Sequence, residues 1–191
     1  HGICDRGFDN IEEDIAALSE MDFAVLDGEK GALMRAEIEK AGASGDSVGG
    51  VLQTAVYGMP AGVGEPWFDT VESMLSHALF GIPGIKGVSF GEGFDIAKLA
   101  GSEANDSFRM SGDRIVTETN RNGGINGGIT NGMPIVFECA VKPTPSISKP
   151  QESVSLSDLE NRELIVKGRH DPCIVPRAVP VVEAAAAIAL M

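Results

Sequence analysis

The chain has 191 residues, 43% of them hydrophobic, which is enough apolar side chain for one domain with a real core. Its net charge of -13 lies almost wholly in residues 1–140, where 9 Lys and Arg face 22 Asp and Glu, while residues 141–191 carry 6 of each. That balance leaves no basic stripe for nucleic acid, no apolar run reaches the roughly 18–20 residues of a membrane span, and three cysteines without framework spacing argue against a disulfide-stapled module.

A reducing cytoplasm suits such a chain. It opens on His1 and closes on Met191 inside a helix-like run, which reads as a piece of a longer protein. In chain order, Asp9 is the expected N-cap of a helix carrying Ile11, Ile15 and Leu18 on one face, with Glu12 and Glu13 in its first turn. A second helix is predicted over 29–41, with Gly42 as its stop. Val48 to Tyr57 reads as a strand. After a Gly/Pro-rich turn over 61–66, Val71, Met74, Leu75, Ala78 and Leu79 follow the i, i+3, i+4 rhythm of an amphipathic helix, within which His77 is an ordinary helix residue.

Gly81-Ile82-Pro83-Gly84 ends that helix, and Ile85 to Phe90 is a short strand. Residues 95–101 suggest one helical turn and 101–107 a polar loop. Ser111-Gly112-Asp113 is a turn before a strand at 115–119, and 133–142 alternates as a half-buried strand with Ile135, Phe137, Cys139 and Val141 on one face. Pro180 fits a first helical position, Glu183 complements the helix dipole, and the alanine-rich remainder predicts a buried final helix. Helices interspersed among strands give an α/β (α+β) layered domain.

Three stretches could carry chemistry. Residues 122–132, dense in glycine, could bring backbone amides against a phosphate or a flat ring, or could simply connect two strands. The run Lys142-Pro143-Thr144-Pro145-Ser146 sets phosphate-suited donors on a stiff backbone. Lys167-Gly168-Arg169-His170-Asp171-Pro172-Cys173 reads as extended, with Arg169 and Asp171 on one face and His170 on the other. That pair could grip an anion and move a proton; the plainer reading is a salt-bridged turn closing onto the next helix. His1 and Cys4 repeat the His-x-x-Cys spacing of His170 and Cys173, so a zinc-stabilised domain is a further reading.

Taken together, the chain resembles the C-terminal half of chorismate synthase. The likeness rests on Gly62-Val63-Gly64-Glu65-Pro66, Ile82-Pro83-Gly84-Ile85-Lys86-Gly87, residues 123–129, Lys142-Pro143-Thr144 and Gly168-Arg169-His170-Asp171-Pro172-Cys173, continuing through 176–180 and Glu183. It is strong over 48–191 and loose over the first 47 residues. The resemblance implies helices packed between two antiparallel sheets, built from a duplicated β-α-β unit, and a homotetramer. It implies reduced FMN as cofactor and 5-enolpyruvylshikimate 3-phosphate as substrate, in a 1,4-anti elimination of phosphate giving chorismate on the shikimate pathway to the aromatic amino acids. It also implies flavin contacts at Pro83, Gly84, Gly127, Lys142, Pro143, Thr144, Pro145, Ser146 and Arg169, and a proton-transfer role for Asp171. Gly84 stands where alanine is common, and Pro145 where serine is. The family's Gly-Glu-Ser-His-Gly and Ser-Ala-Arg-Glu-Thr motifs do not occur in these 191 residues. The expectation is therefore a fragment holding part of the flavin site with little turnover alone, or a flavin-binding or assembly module without catalysis.

Overall fold

A computed structural model describes residues 2–191. The chain begins with helices α1 (Ile11–Ser19) and α2 (Gly28–Ala43), then strand β1 (Gly50–Val56), α3 (Val71–Phe80) and β2 (Ile85–Phe90). A 3-10 segment (Gly93–Lys98) and the one-turn α4 (Gly101–Ala104) lead to the hairpin β3 (Phe108–Ser111) and β4 (Arg114–Thr117). The small hairpin β5 (Ile125–Asn126) and β6 (Ile129–Thr130) precedes the long strand β7 (Ile135–Val141). A further hairpin, β8 (Gln151–Ser155) and β9 (Glu160–Leu164), precedes α5 (Val175–Leu190).

The main sheet is β1-β7-β2, with β7 in the middle and antiparallel to both neighbours. β1-α3-β2 is thus a β-α-β unit whose two strands leave a gap that β7 fills. The alternation along β7 explains the packing, because residues paired across an antiparallel ladder share a face. Phe137 lies between Thr54 and Phe90, and Cys139 between Leu52 and Val88. On this face Ile135, Phe137 and Cys139 are fully buried beneath Leu75 and Leu79 of α3 and Val182 and Ala186 of α5. A register shift between Ile85 and Gly87 returns Ile85 to the buried face opposite Val141. Burial pushes the Cys139 thiol up to about 11, so it behaves as a core methylene rather than a reactive group.

Several boundaries differ from the sequence expectation. Asn10, not Asp9, caps α1 by accepting from the Glu13 amide, while Asp9 pairs with Arg6. α2 continues through Gly42, since Ser44 and the left-handed Gly45 close it instead. The region expected as a polar loop at 101–107 holds α4, and β4 ends two residues early at Thr117. α5 starts at Val175 with Pro176 in its first turn, so Pro180 lies inside the helix and Glu183 is too far from the N-terminus to complement its dipole. Nor is α5 buried all round. It has one sheet to pack on, and Val181 and Ile188 on its other side remain exposed.

The glycine-rich run 122–132 is neither a slack connector nor an open cradle. An added Cβ at Gly123 would sit 2.6 Å from both the Gly91 amide nitrogen and the Val136 carbonyl oxygen, so the glycine permits backbone to pack on backbone. Buried Asp106 anchors its start, accepting from Thr119 Oγ1 (2.6 Å), the Arg121 and Asn122 amides (2.8 and 2.9 Å) and Asn122 Nδ2 (2.7 Å). Burial alone would raise the Asp106 pKa, but these donors outweigh it and hold the carboxyl below its ordinary value.

Replacing Asp106 with alanine strands these donors and should cost about 1–3 kcal/mol at pH 7, read from urea unfolding midpoints. Because the folded-state pKa is depressed, this stabilisation is complete above the unfolded-state value of about 3.9. It is lost as pH falls through the lower folded-state value, so the gap between wild type and Asp106→Ala should narrow below about pH 4.

Candidate functional site

β7 ends at Val141, and the end of the sheet there gathers most of the residues singled out from the sequence. The Lys142 amide donates to the Gly84 carbonyl oxygen at 2.9 Å, tying the loop after β7 to the turn before β2. In that turn the Ile85 amide reaches back to the Ile82 carbonyl oxygen at 3.3 Å, with Pro83 and then Gly84 at φ +95° between them, as a type II turn requires. The Val48 amide donates to the Pro172 carbonyl oxygen at 2.8 Å, fixing the 167–173 segment beside the start of β1. Pro83, Gly84, the Lys142–Ser146 loop and Asp171-Pro172 therefore sit around one strand end.

Asp171 does not pair with Arg169. Its Oδ2 accepts from Arg177 Nη1 at 2.8 Å, because α5 starts early enough to bring Arg177 back over the preceding loop. The salt-bridged turn closing onto the next helix is thus the arrangement present, with Arg177 as the cation. His170 makes a ring-nitrogen contact of 3.0 Å with the Val166 carbonyl oxygen. Among the described residues, Lys142, Lys167 and Arg169 carry no ion pair. Lys142 is half-buried at the strand end, and Thr144 Oγ1 is buried there without a hydrogen-bond partner. Lys142 without an ion pair, two residues from an orphaned hydroxyl, suits an anionic, acceptor-rich group.

Gly127 stands apart. With Gly128 it forms the two-residue turn between β5 and β6, both at positive φ (+60° and +87°), which is sufficient reason for two glycines. This hairpin lies near the start of β7. Ile135 and Lys142, seven residues apart, are separated by roughly 23 Å at about 3.3 Å per residue.

A zinc centre gains no support. Among the described residues no three His, Cys, Asp or Glu side chains group to hold a metal, and His1 lies outside those residues. Burial raises the Cys173 thiol, partly offset by its bond with the Val175 amide, which disfavours the thiolate a metal needs. Beside the strand end, α2 and β1 enclose an apolar cleft of about 150 Å³ lined by Met34, Ile38, Val48, Cys173 and Val175. That is below the roughly 300 Å³ at which ligand pockets begin, and none of Pro83, Gly84, Lys142, Thr144 or Arg169 lines it.

No local signal marks Ser47, whose Oγ donates to the Thr144 carbonyl oxygen at 2.6 Å across 97 residues. Gly49 was visible only as a glycine near a strand start. In the fold its Cα faces the Val141 carbonyl oxygen, and an added Cβ would overlap that atom and lie 2.9 Å from the Pro143 nitrogen.

The sequence profile described as chorismate synthase matches residues 7–191. A curated chorismate synthase from Thermococcus gammatolerans is 53% identical over 157 residues, covering 82% of this chain and 44% of that protein. One from Methanosarcina barkeri is 46% identical over 182 residues, covering 95% of this chain and 48% of that protein. A solved structure, titled as the crystal structure of chorismate synthase, superposes with a TM-score of 0.70 at 31% identity over 87% of this chain and 43% of the other. The chain spans about half the length of the curated relatives it matches.

Gly49→Ala should destabilise the chain by about 2 kcal/mol or more, since the blocking atoms are backbone and cannot rotate away. Gly127→Asn, in open space and in a left-handed conformation that asparagine tolerates, should change stability by less than about 1 kcal/mol. Denaturant unfolding of the two variants reads both.

Proposed function

Because this chain belongs to the chorismate synthase family, we propose that it carries the flavin-holding part of a phosphate lyase. The reaction is the 1,4-anti elimination of phosphate from 5-enolpyruvylshikimate 3-phosphate to chorismate, in the shikimate route to aromatic amino acids. The observation that carries the reading is the strand end itself. Half-buried Lys142 and the unpartnered Thr144 hydroxyl lie on the loop whose first amide binds the Gly84 carbonyl, and the exposed Arg169 lies three residues before Pro172, whose carbonyl holds the Val48 amide. Their chemistry fits reduced FMN, whose phosphate and ring carbonyls are acceptors.

In this reading Lys142 and Arg169 neutralise negative charge, Thr144 and Ser146 offer hydroxyl donors, and Pro143 and Pro145 keep the loop from collapsing before the ligand arrives. Lys142, Arg169 and the 142–146 loop would hold reduced FMN, which would supply an electron-rich ring beside the substrate in an elimination with no net redox change. Asp171, oriented by Arg177, takes part in moving the proton that leaves the substrate ring. Gly127 enters through the resemblance alone. The exposed Val181 and Ile188 of α5 support the view that more of the family's fold packs here, including the parts that carry its histidine and arginine motifs. Three free cysteines suit a cytoplasmic protein. The family's homotetramer is the assembly we assign.

An anaerobic titration of the 191-residue chain into reduced FMN, with and without 5-enolpyruvylshikimate 3-phosphate, tests this. The expected result is a perturbed flavin spectrum without chorismate formation. Lys142→Ala should weaken the affinity roughly tenfold or more, as befits loss of a charge-assisted hydrogen bond of about 1.5–3 kcal/mol. An affinity indifferent to Lys142→Ala would overturn the strand-end assignment, and chorismate made by this chain alone would overturn the partial-site reading.

A further inference from the structure

The segment Gly45–Gly49, between α2 and β1, touches both loops of the candidate site and belongs to neither. Toward the loop after β7 it makes three polar contacts. Ser47 Oγ donates to the Thr144 carbonyl oxygen at 2.6 Å, the Ser148 amide donates to the Gly45 carbonyl oxygen at 3.0 Å, and Lys149 Nζ pairs with Asp46 Oδ2 at 2.6 Å. Toward the 167–173 segment the Val48 amide donates to the Pro172 carbonyl oxygen. Behind both, Gly49 lies flat on Val141 and Pro143, where an added Cβ does not fit.

These contacts are unequal. The Asp46–Lys149 pair is close to half exposed on both sides, and such surface pairs contribute about 0–1 kcal/mol. The Ser47 bond is part-buried and acts on a peptide with few other freedoms. Thr144 stands between Pro143 and Pro145: one proline fixes its own φ ahead of the residue, and the other restricts Thr144 from behind. A single hydrogen bond to the Thr144 carbonyl then sets the Thr144–Pro145 peptide plane, next to the buried, unpartnered Thr144 hydroxyl.

We infer that Ser47 is a positioning residue for the ligand-facing loop 142–146, acting through the Thr144 carbonyl, and that Gly45–Gly49 holds this loop and the Asp171 loop in fixed relation. The inference rests on the strand-end reading for its ligand, but not for its geometry. Ser47 touches no ligand in this scheme; its hydroxyl replaces water on a carbonyl that would otherwise be free to turn.

The test compares Ser47→Ala, Ser47→Thr and Lys142→Ala in the 191-residue chain by backbone hydrogen exchange and by anaerobic titration of reduced FMN. In Ser47→Ala the Ser148 amide, bonded to the Gly45 carbonyl, should exchange at least about tenfold faster while the amides of α5 are unchanged, and reduced FMN should bind roughly tenfold more weakly. Ser47→Thr, which keeps the hydroxyl, should restore both to within about twofold of wild type. Unchanged exchange at Ser148 in Ser47→Ala overturns the inference, as does an affinity untouched by Ser47→Ala when Lys142→Ala abolishes binding. If flavin binding is absent or indifferent to Lys142→Ala, the strand-end reading fails, and the exchange data still decide whether Ser47 holds the loop.

Discussion

The strand β7 is the constraint on which the rest of the chain depends. It is the middle strand of the sheet, so its amides and carbonyls are used on both edges, and its alternate side chains supply the floor on which α3 and α5 rest. Moving it by one residue would bring Val136, Glu138 and Ala140 to the helices and Phe137 to solvent, so the register admits no slip. Both ends of β7 inherit that rigidity. Its start is fixed by the packed glycine hairpin and Asp106, and its finish delivers Lys142 to a defined point at the sheet end.

Rigidity at that finish comes from backbone meeting backbone more than from side-chain packing. Gly49 against Val141 and Pro143, the Pro172 carbonyl on the Val48 amide, and the Gly84 carbonyl on the Lys142 amide bring three separate connections within hydrogen-bond reach. Connections of this kind leave side chains free to face outward. Lys142 at the strand end and Arg169 on the neighbouring segment therefore carry no ion pairs among the described residues, while the carboxylates of Asp46 and Asp171 are occupied by Lys149 and Arg177. The two acids on the segments hydrogen-bonded to these loops, Asp46 and Asp171, already have cationic partners.

What could be read from the sequence follows the range of the interaction. Alternation along 133–142 and the 3.6-residue rhythm of 71–79 are set by neighbours on the same element, and both survived into the fold. The helix ends fared worse. Asp9 or Asn10, and Gly42 or Gly45, are equally good caps in isolation, and only the Arg6 pairing and the path into β1 decide between them. Pro180 misled because a proline suits a first turn, yet Pro176 already occupied that turn. The strand-end cluster was legible as a set of motifs, whereas the pairing of Asp171 with Arg177 depended on where α5 begins. Ser47 was invisible, since its partner lies 97 residues away and a lone serine before two glycines carries no local signal.

The two glycine-bearing turns among the candidate residues show how the same residue type arises from different demands. Gly84 lies in a turn whose carbonyl is bound by the Lys142 amide, so its left-handed backbone both closes the chain into β2 and locates the start of the loop 142–146. Gly127 meets the twist of its own two-stranded hairpin, and nothing lies within 4 Å of a Cβ added there. Replacing Gly84 with a residue that resists positive φ would strain the turn and displace Lys142 with it, whereas strain at Gly127 would stay within the hairpin at the far end of β7. The glycine that matters to the strand end is therefore identified by what its carbonyl holds, and motif membership alone does not separate the two.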